Sequence, residues 1–125
     1  MRFWILPMVL SSVLMWTTAA PFTAAHADPA RFFSVIDDLP VMAGISEDGE
    51  GVEFPTADGR IAQTSALGLV RRADVLAFYA ETLPQLGWTQ SGRASFVREG
   101  EMLSIEFEQD PAGLRVRFAL APHKN

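Results

Sequence analysis

Apolar and polar positions change period along this chain, and the changes mark its elements. Between Val70 and Trp88, Val75, Tyr79, Leu83 and Leu86 recur at helical spacing, and Leu76 and Phe78 widen the apolar stripe. One main helix is predicted over about residues 72–86. Asp74 falls in its first turn, where unpaired amide N–H groups favour negative charge. Pro84 lacks an N–H and crowds the carbonyl four residues back, so the regular helix should kink or stop near Leu83. Gly87 is placed to reverse the chain in a left-handed conformation, and Trp88 opens the next extended segment.

The C-terminal third alternates with period two. Ala94–Arg98 reads as a strand, Glu99-Gly100 as a turn and Glu101–Gln109 as the next strand. Asp110-Pro111-Ala112-Gly113 is a turn, and Leu114, Val116, Phe118 and Leu120 then point inward. If Gln109 pairs with Leu114, Phe107 opposes Val116, Ile105 opposes Phe118 and Leu103 opposes Leu120. Glu108 then meets Arg115 and Glu106 meets Arg117 on the outward face, expected to be hydrophilic. The tail from Pro122 to Asn125 is expected to fray.

Upstream of the helix, Val52–Phe54 and Arg60–Ala66 flank the turn Thr56-Ala57-Asp58-Gly59 and predict a β-hairpin. Gly68 is read as the break between that hairpin and the helix. Ser46–Gly51 is a turn or loop, and Leu39–Gly44 an extended lead-in. Asp28–Asp38 fits either a helical turn or a docking strand. The sum is an α+β fold in two layers: an antiparallel sheet of about five or six strands, packed by one main helix.

The first residues belong to a different pattern. Arg2, the apolar run Phe3–Trp16 and the small-residue stretch ending Ala25-His26-Ala27 read as a secretory signal peptide, residues 1–27, removed before Asp28. Periplasmic or secreted localisation by the general secretory route is the expectation, with no membrane anchor after cleavage. What remains, residues 28–125, is one small domain. Removal takes away Arg2 alone among the Asp, Glu, Lys and Arg residues, so the net charge moves from −5 to −6. The chain has no Cys, so packing rather than disulfides must hold it. Its acidic balance argues against nucleic acid, which needs clustered Lys and Arg.

Chemistry-bearing residues are sparse. His123 is the only His after residue 27 and lies at the tail, a poor setting for a Ser–His–Asp arrangement. No metal site is predicted; Asp48, Glu50 and Glu53, in the densest acidic region, are the weak candidates, against the reading of a solvated loop. No cofactor is called for. Phe32 and Phe33 fit an arm that seals the domain edge or binds a partner. Tyr79 and Trp88 are aromatic candidates for ligand stacking, read against core packing with the Tyr79 hydroxyl near the rim. Arg71 and Arg72, before the helix, are candidates to contact the acidic loop or a negatively charged partner. Three functions stay open: a non-enzymatic interaction or accessory module whose partner is another periplasmic protein, a small-ligand module with a helix–sheet pocket, and a small hydrolase using a carboxylate pair.

Val75, Phe78, Tyr79, Leu83, Pro84, Gly87 and Trp88 form a V-x-x-F-Y-x-x-x-L-P-x-x-G-W segment. It resembles small bacterial exported proteins and lipoproteins of unassigned function. The stretches Phe54–Ile61 and Phe96–Ile105 continue that resemblance, which spans roughly Leu39 to Pro122. More distantly, the chain is similar to the helix-on-sheet domains of the lipoprotein in the outer-membrane assembly machinery. That likeness implies a role in protein assembly without catalytic residues. The lipidation cysteine of those lipoproteins is missing here.

Overall fold

The computed structural model describes residues 31–124; the proposed signal peptide and its cleavage point lie outside them. The described chain is a two-layer α+β domain. Its elements are β1 (Ile45–Glu47), β2 (Val52–Thr56), β3 (Gly59–Gly68), α1 (Arg72–Thr82), β4 (Thr89–Gly92), β5 (Ser95–Arg98), β6 (Glu101–Asp110) and β7 (Gly113–Pro122). The seven strands form one antiparallel sheet. β3 pairs with β7, and β6, β5 and β4 follow in that order; β1 and β2 both pair with the other side of β3. The strand missing from the sequence reading is β1, a three-residue stretch too short for alternation to announce.

Pro84 acts as the sequence predicts. The α-helix ends at Thr82, and Leu83–Leu86 continue as a single 3-10 turn. Gly87, at φ 90°, reverses the chain in the left-handed region. Val75, Tyr79 and Leu83 are buried, whereas Leu86, predicted on the same stripe, is exposed. The tighter 3-10 turn rotates Leu86 away from the α-helical face.

The inner face of the sheet carries Ala62, Ala66, Phe96, Leu103, Ile105, Leu114, Val116, Phe118 and Leu120, all buried. Two segments cover it, not one. Beside α1, the arm 31–44 inserts Phe33, Ile36 and Leu39 into the same core. Phe118 meets the arm through Phe33 at 4.8 Å between ring centroids, and the helix through Tyr79 at 5.2 Å. The arm is neither a helical turn nor a sheet strand. It folds back on itself, with Phe33 N–H donating to Leu39 O at 3.0 Å and Val41 N–H to Arg31 O at 2.7 Å.

A carboxylate ties this arm to the sheet. Glu47 on β1 accepts from Ser34 Oγ at 2.7 Å, from Ser34 N–H at 3.3 Å and from Thr64 Oγ1 at 2.8 Å. Burial disfavours its charge, but the bonds from Ser34 and Thr64 outweigh that and hold the carboxyl below its ordinary 4.5. A depressed carboxylate contributes stability above its unfolded pKa and loses it as pH falls through the folded one. Acidification below about pH 4.5 should therefore loosen the arm. Glu47→Gln should cost about 1 kcal/mol and remove most of that acid dependence. Hydrogen exchange at the Phe33 and Val41 amides is the check; unchanged exchange in Glu47→Gln at neutral pH would contradict the role given to Glu47.

The β6–β7 register is the one read from the sequence, with Ile105 opposite Phe118, Glu106 opposite Arg117 and Glu108 opposite Arg115. Side-chain pairing follows it for Arg117, whose Nη1 lies 4.0 Å from Glu106 Oε2, and departs from it for Arg115. Arg115 bonds Asp110 Oδ2 at 2.8 Å and also Asp48, while Arg117 takes Glu108 at 3.0 Å. The acidic loop folds over the outer face and takes Arg115 from its cross-strand neighbour. The tail is also held: Pro122 lies in β7, His123 N–H donates to Gly100 O at 2.7 Å, and Lys124 Nζ lies 2.9 Å from Asp58 Oδ1.

β3 ends at Gly68, the position read as the break before the helix, though Gly68 itself still pairs with Ile45 on one side and Leu114 on the other.

Candidate functional site

Helix and arm cover the inner face and leave the outer face of the sheet open. That face is divided. Towards one end it carries Ser65, Arg115, Arg117, Glu106 and Glu108, the hydrophilic surface expected from the sequence. The opposite end is apolar. Phe54 pairs with Ile61, Met102 with Ala121 and Val97 with Met102. The register that pairs Ala62 with Leu120 brings Ile61 beside Ala121. Phe54, Ile61, Ala121, Met102 and Val97 thus form a stripe across β2, β3, β7, β6 and β5. Phe54 is 47% exposed, and Val52 extends the stripe on β2.

The sheet edge beside this stripe is guarded. β2 is wholly exposed, but Pro55 offers no N–H to an added strand, and Glu53 next to it carries charge. Glu53 also reaches Arg60 at 3.1 Å, and Arg60 reaches Glu101 at 3.1 Å. Any contact on this side would use the face more readily than the edge.

At its β5 end the stripe runs into a cavity of about 400 Å³. Leu86, Gly87, Thr89, Val97, Arg98, Glu99, Gly100 and His123 line it. The two-residue turn of the β5–β6 hairpin forms one lip, with Glu99 at φ 49° and Gly100 at φ 78°, the left-handed pair that matches strand twist. Arg98 stacks on the Trp88 ring, 4.5 Å from its centroid, and donates Nη1 to Leu86 O at 3.0 Å. A second cavity, about 190 Å³, lies at the gap between β1 and β2, lined by Asp48, Glu50, Val52, Gln63, Thr64, Ser65 and Arg117.

The predicted site residues scatter across these features. Phe33 is buried against Phe118, while Phe32 beside it is 52% exposed. Tyr79 is fully buried, and its hydroxyl sits not at the rim but inside, donating to Pro40 O at 2.8 Å. Burial pushes that phenol far above its ordinary value of 10.0. Trp88 is buried where the helix end meets the sheet, and its indole Nε1 has no hydrogen-bond partner. Neither helix arginine is paired with the acidic loop. Arg71 forms a two-pronged pair with Asp74, at 2.9 and 3.1 Å, and Arg72 lies over the Phe107 ring at 5.1 Å. The loop is instead met by Arg115.

Asp48 and Glu53 each lie on an arginine, and Glu50 lines the smaller cavity beside Asp48. Among the described residues, no three His, Cys, Asp or Glu side chains are grouped so as to hold a metal ion. Likewise, no helix among them is long and apolar enough to cross a membrane.

Sequence reasoning missed the stripe and Arg98. Within each strand, alternation sets Val97 on the face opposite Phe96 and Met102 on the face opposite Leu103. Their alignment with Phe54 and Ile61 depends on β3 pairing with β7, which no local pattern states. The fold and these surfaces define the class, a small two-layer α+β domain with one open sheet face. No protein-family model, no curated protein and no solved structure matches the chain.

Proposed function

We propose that this protein is a non-enzymatic accessory module of the periplasm that docks another exported protein on the open face of its sheet. The observation that carries the reading is the stripe of Phe54, Ile61, Ala121, Met102 and Val97. A small domain that must hold itself together by packing places these side chains outside its core, contiguous across five strands. Phe54 is exposed and Ile61, Val97, Met102 and Ala121 are half-buried, and a contiguous apolar surface reached by solvent and rimmed by charge is the usual mark of a protein contact. The charged half of the same face, with Arg117 among Glu106 and Glu108, supplies such a rim. Resemblance of the helix segment to exported proteins and assembly lipoproteins points the same way. The hydrolase reading draws no support from the carboxylates that come together on shared arginines: Glu53 and Glu101 both lie on Arg60, and Asp48 and Asp110 both on Arg115.

Phe54→Glu places a charge on the stripe at a residue that is already half exposed. Its stability should change by no more than about 0.5 kcal/mol, while capture of the partner from a periplasmic extract should fall at least about tenfold. Ala77→Glu, on the exposed side of α1, should leave capture unchanged. A stoichiometric partner retained equally by wild type and Phe54→Glu would defeat the reading, as would self-association that accounts for all the binding.

A further inference from the structure

The larger cavity holds an arginine whose donors are mostly unspent. The Arg98 side chain is only 19% exposed, and stacking on Trp88 fixes the plane of its guanidinium. Nη1 donates to Leu86 O. The nearest carboxylate oxygen, Asp38 Oδ2, stands 4.0 Å away, outside hydrogen-bond reach. Among the described residues, Nε and Nη2 make no hydrogen bond. Neither nitrogen is sealed from solvent, because among the described residues Trp88 Nε1 is the one buried side-chain polar atom left without a partner. An arginine held flat in a cavity wall, with one edge of its fork unused, matches a carboxylate in shape and charge.

The other walls narrow the choice. Leu86 and Val97 are apolar and suit a compact hydrocarbon body. His123 offers a second polar contact, and its backbone is fixed by the bond to Gly100. Glu99 on the lip and Asp38, 4.0 Å from Arg98 Nη1, disfavour a second negative charge. The volume, about 400 Å³, falls in the lower part of the range for small-molecule sites. We propose that this cavity binds a small organic monocarboxylate with a compact apolar or aromatic body, its carboxylate on Arg98. This goes beyond protein docking and does not depend on it.

Benzoate is a suitable probe, and the Trp88 indole N–H resonance, assigned through Trp88→Phe, reports from beneath the stacked guanidinium. Titration of the protein should shift that resonance saturably below about 10 mM benzoate. Benzamide, which has the same body and no charge, should bind at least about tenfold more weakly. Arg98→Lys keeps the charge and stem but not the fork, and should weaken benzoate about tenfold. His123→Gln, at a half-buried position near the chain end, should weaken it about threefold with the fold intact, and so serves if the Arg98 variant fails to fold. Phe54→Glu should bind benzoate normally. The proposal is overturned by an unsaturated benzoate titration, by equal binding of benzamide, by preference for inorganic phosphate, or by full affinity in both Arg98→Lys and His123→Gln.

Discussion

Gly68→Ala should destabilise the domain by about 3 kcal/mol or more, although it adds a single methyl group. A Cβ at Gly68 would stand 2.1 Å from Gly44 O and 2.9 Å from both Ile45 Cα and Ile45 Cγ2. The nearest two contacts are backbone, so no side-chain rotation relieves them. Gly113 approaches from the opposite side, where a Cβ would lie 2.5 Å from Gly68 O. Three chain segments therefore meet at one point: the end of the arm at Gly44, the end of β3 at Gly68 and the start of β7 at Gly113. Adding bulk there must part β1 from β3 or tilt the end of β3 that leads into α1. Urea denaturation monitored by circular dichroism should show a much lower midpoint. Gly49→Ala is the control. Gly49 lies at φ 79°, in the left-handed region that Gly68 does not occupy, and has no atom within 4 Å of the added Cβ, so backbone strain alone should cost it about 1–2 kcal/mol. A loss at Gly68 no larger than that at Gly49 would mean that the close approach to Gly44 and Ile45 relaxes easily and does not set the cost.

Phe118→Ala should be at least as damaging, at about 3–5 kcal/mol. Phe118 is fully buried and is the residue on which arm, helix and sheet converge, through Phe33 and Tyr79. Truncation leaves a cavity against two aromatic rings whose backbones belong to different segments. Neither can collapse into the space without dragging its own segment along. Single domains are stable by only about 5–15 kcal/mol, so the variant should sit near the edge of folding at 37 °C. Phe33→Leu in the same background should cost less than in wild type, with a coupling of about 0.5–1.5 kcal/mol for the lost ring pair. A loss below about 1 kcal/mol in Phe118→Ala would show that the arm and helix do not share one core.

The parts of this fold that can be read from the sequence are those decided by neighbours in the chain. Pro84 and Gly87 end the helix through their own backbone chemistry. β6 and β7 find their register because a short turn joins two strands with clear alternation. Asp110 reinforces that turn by accepting from Ala112 N–H at 2.9 Å. Where distant segments meet, local patterning gives less. Arg115 has Glu108 opposite it in the ladder, yet bonds Asp110 and a loop far upstream, because that loop folds across the face. Gly68 ends β3 as its residue type suggests, but the close approach of Gly44 O that requires a glycine there is set by a distant segment. Tyr79 fits a half-wet rim by its chemistry; the arm closing over it supplies Pro40 O as a buried acceptor instead. The candidate sites show the same divide. Arg98 is one arginine in a strand until Trp88 is placed beneath it and the His123 backbone is pinned beside it.

By itself, the sequence determined the fold class, the helix and its stop, and the inward face of the C-terminal hairpin. Each follows from period, turn chemistry or proline sterics over a few residues. Tertiary structure alone decided that β3 pairs with β7, that the arm shares the core with the helix, and that an apolar stripe and an arginine-lined cavity lie on the surface. Alternation tells which face of a strand a side chain occupies, but not which strand lies beside it. Neighbouring strands from distant parts of the chain are chosen by the packing of the whole core.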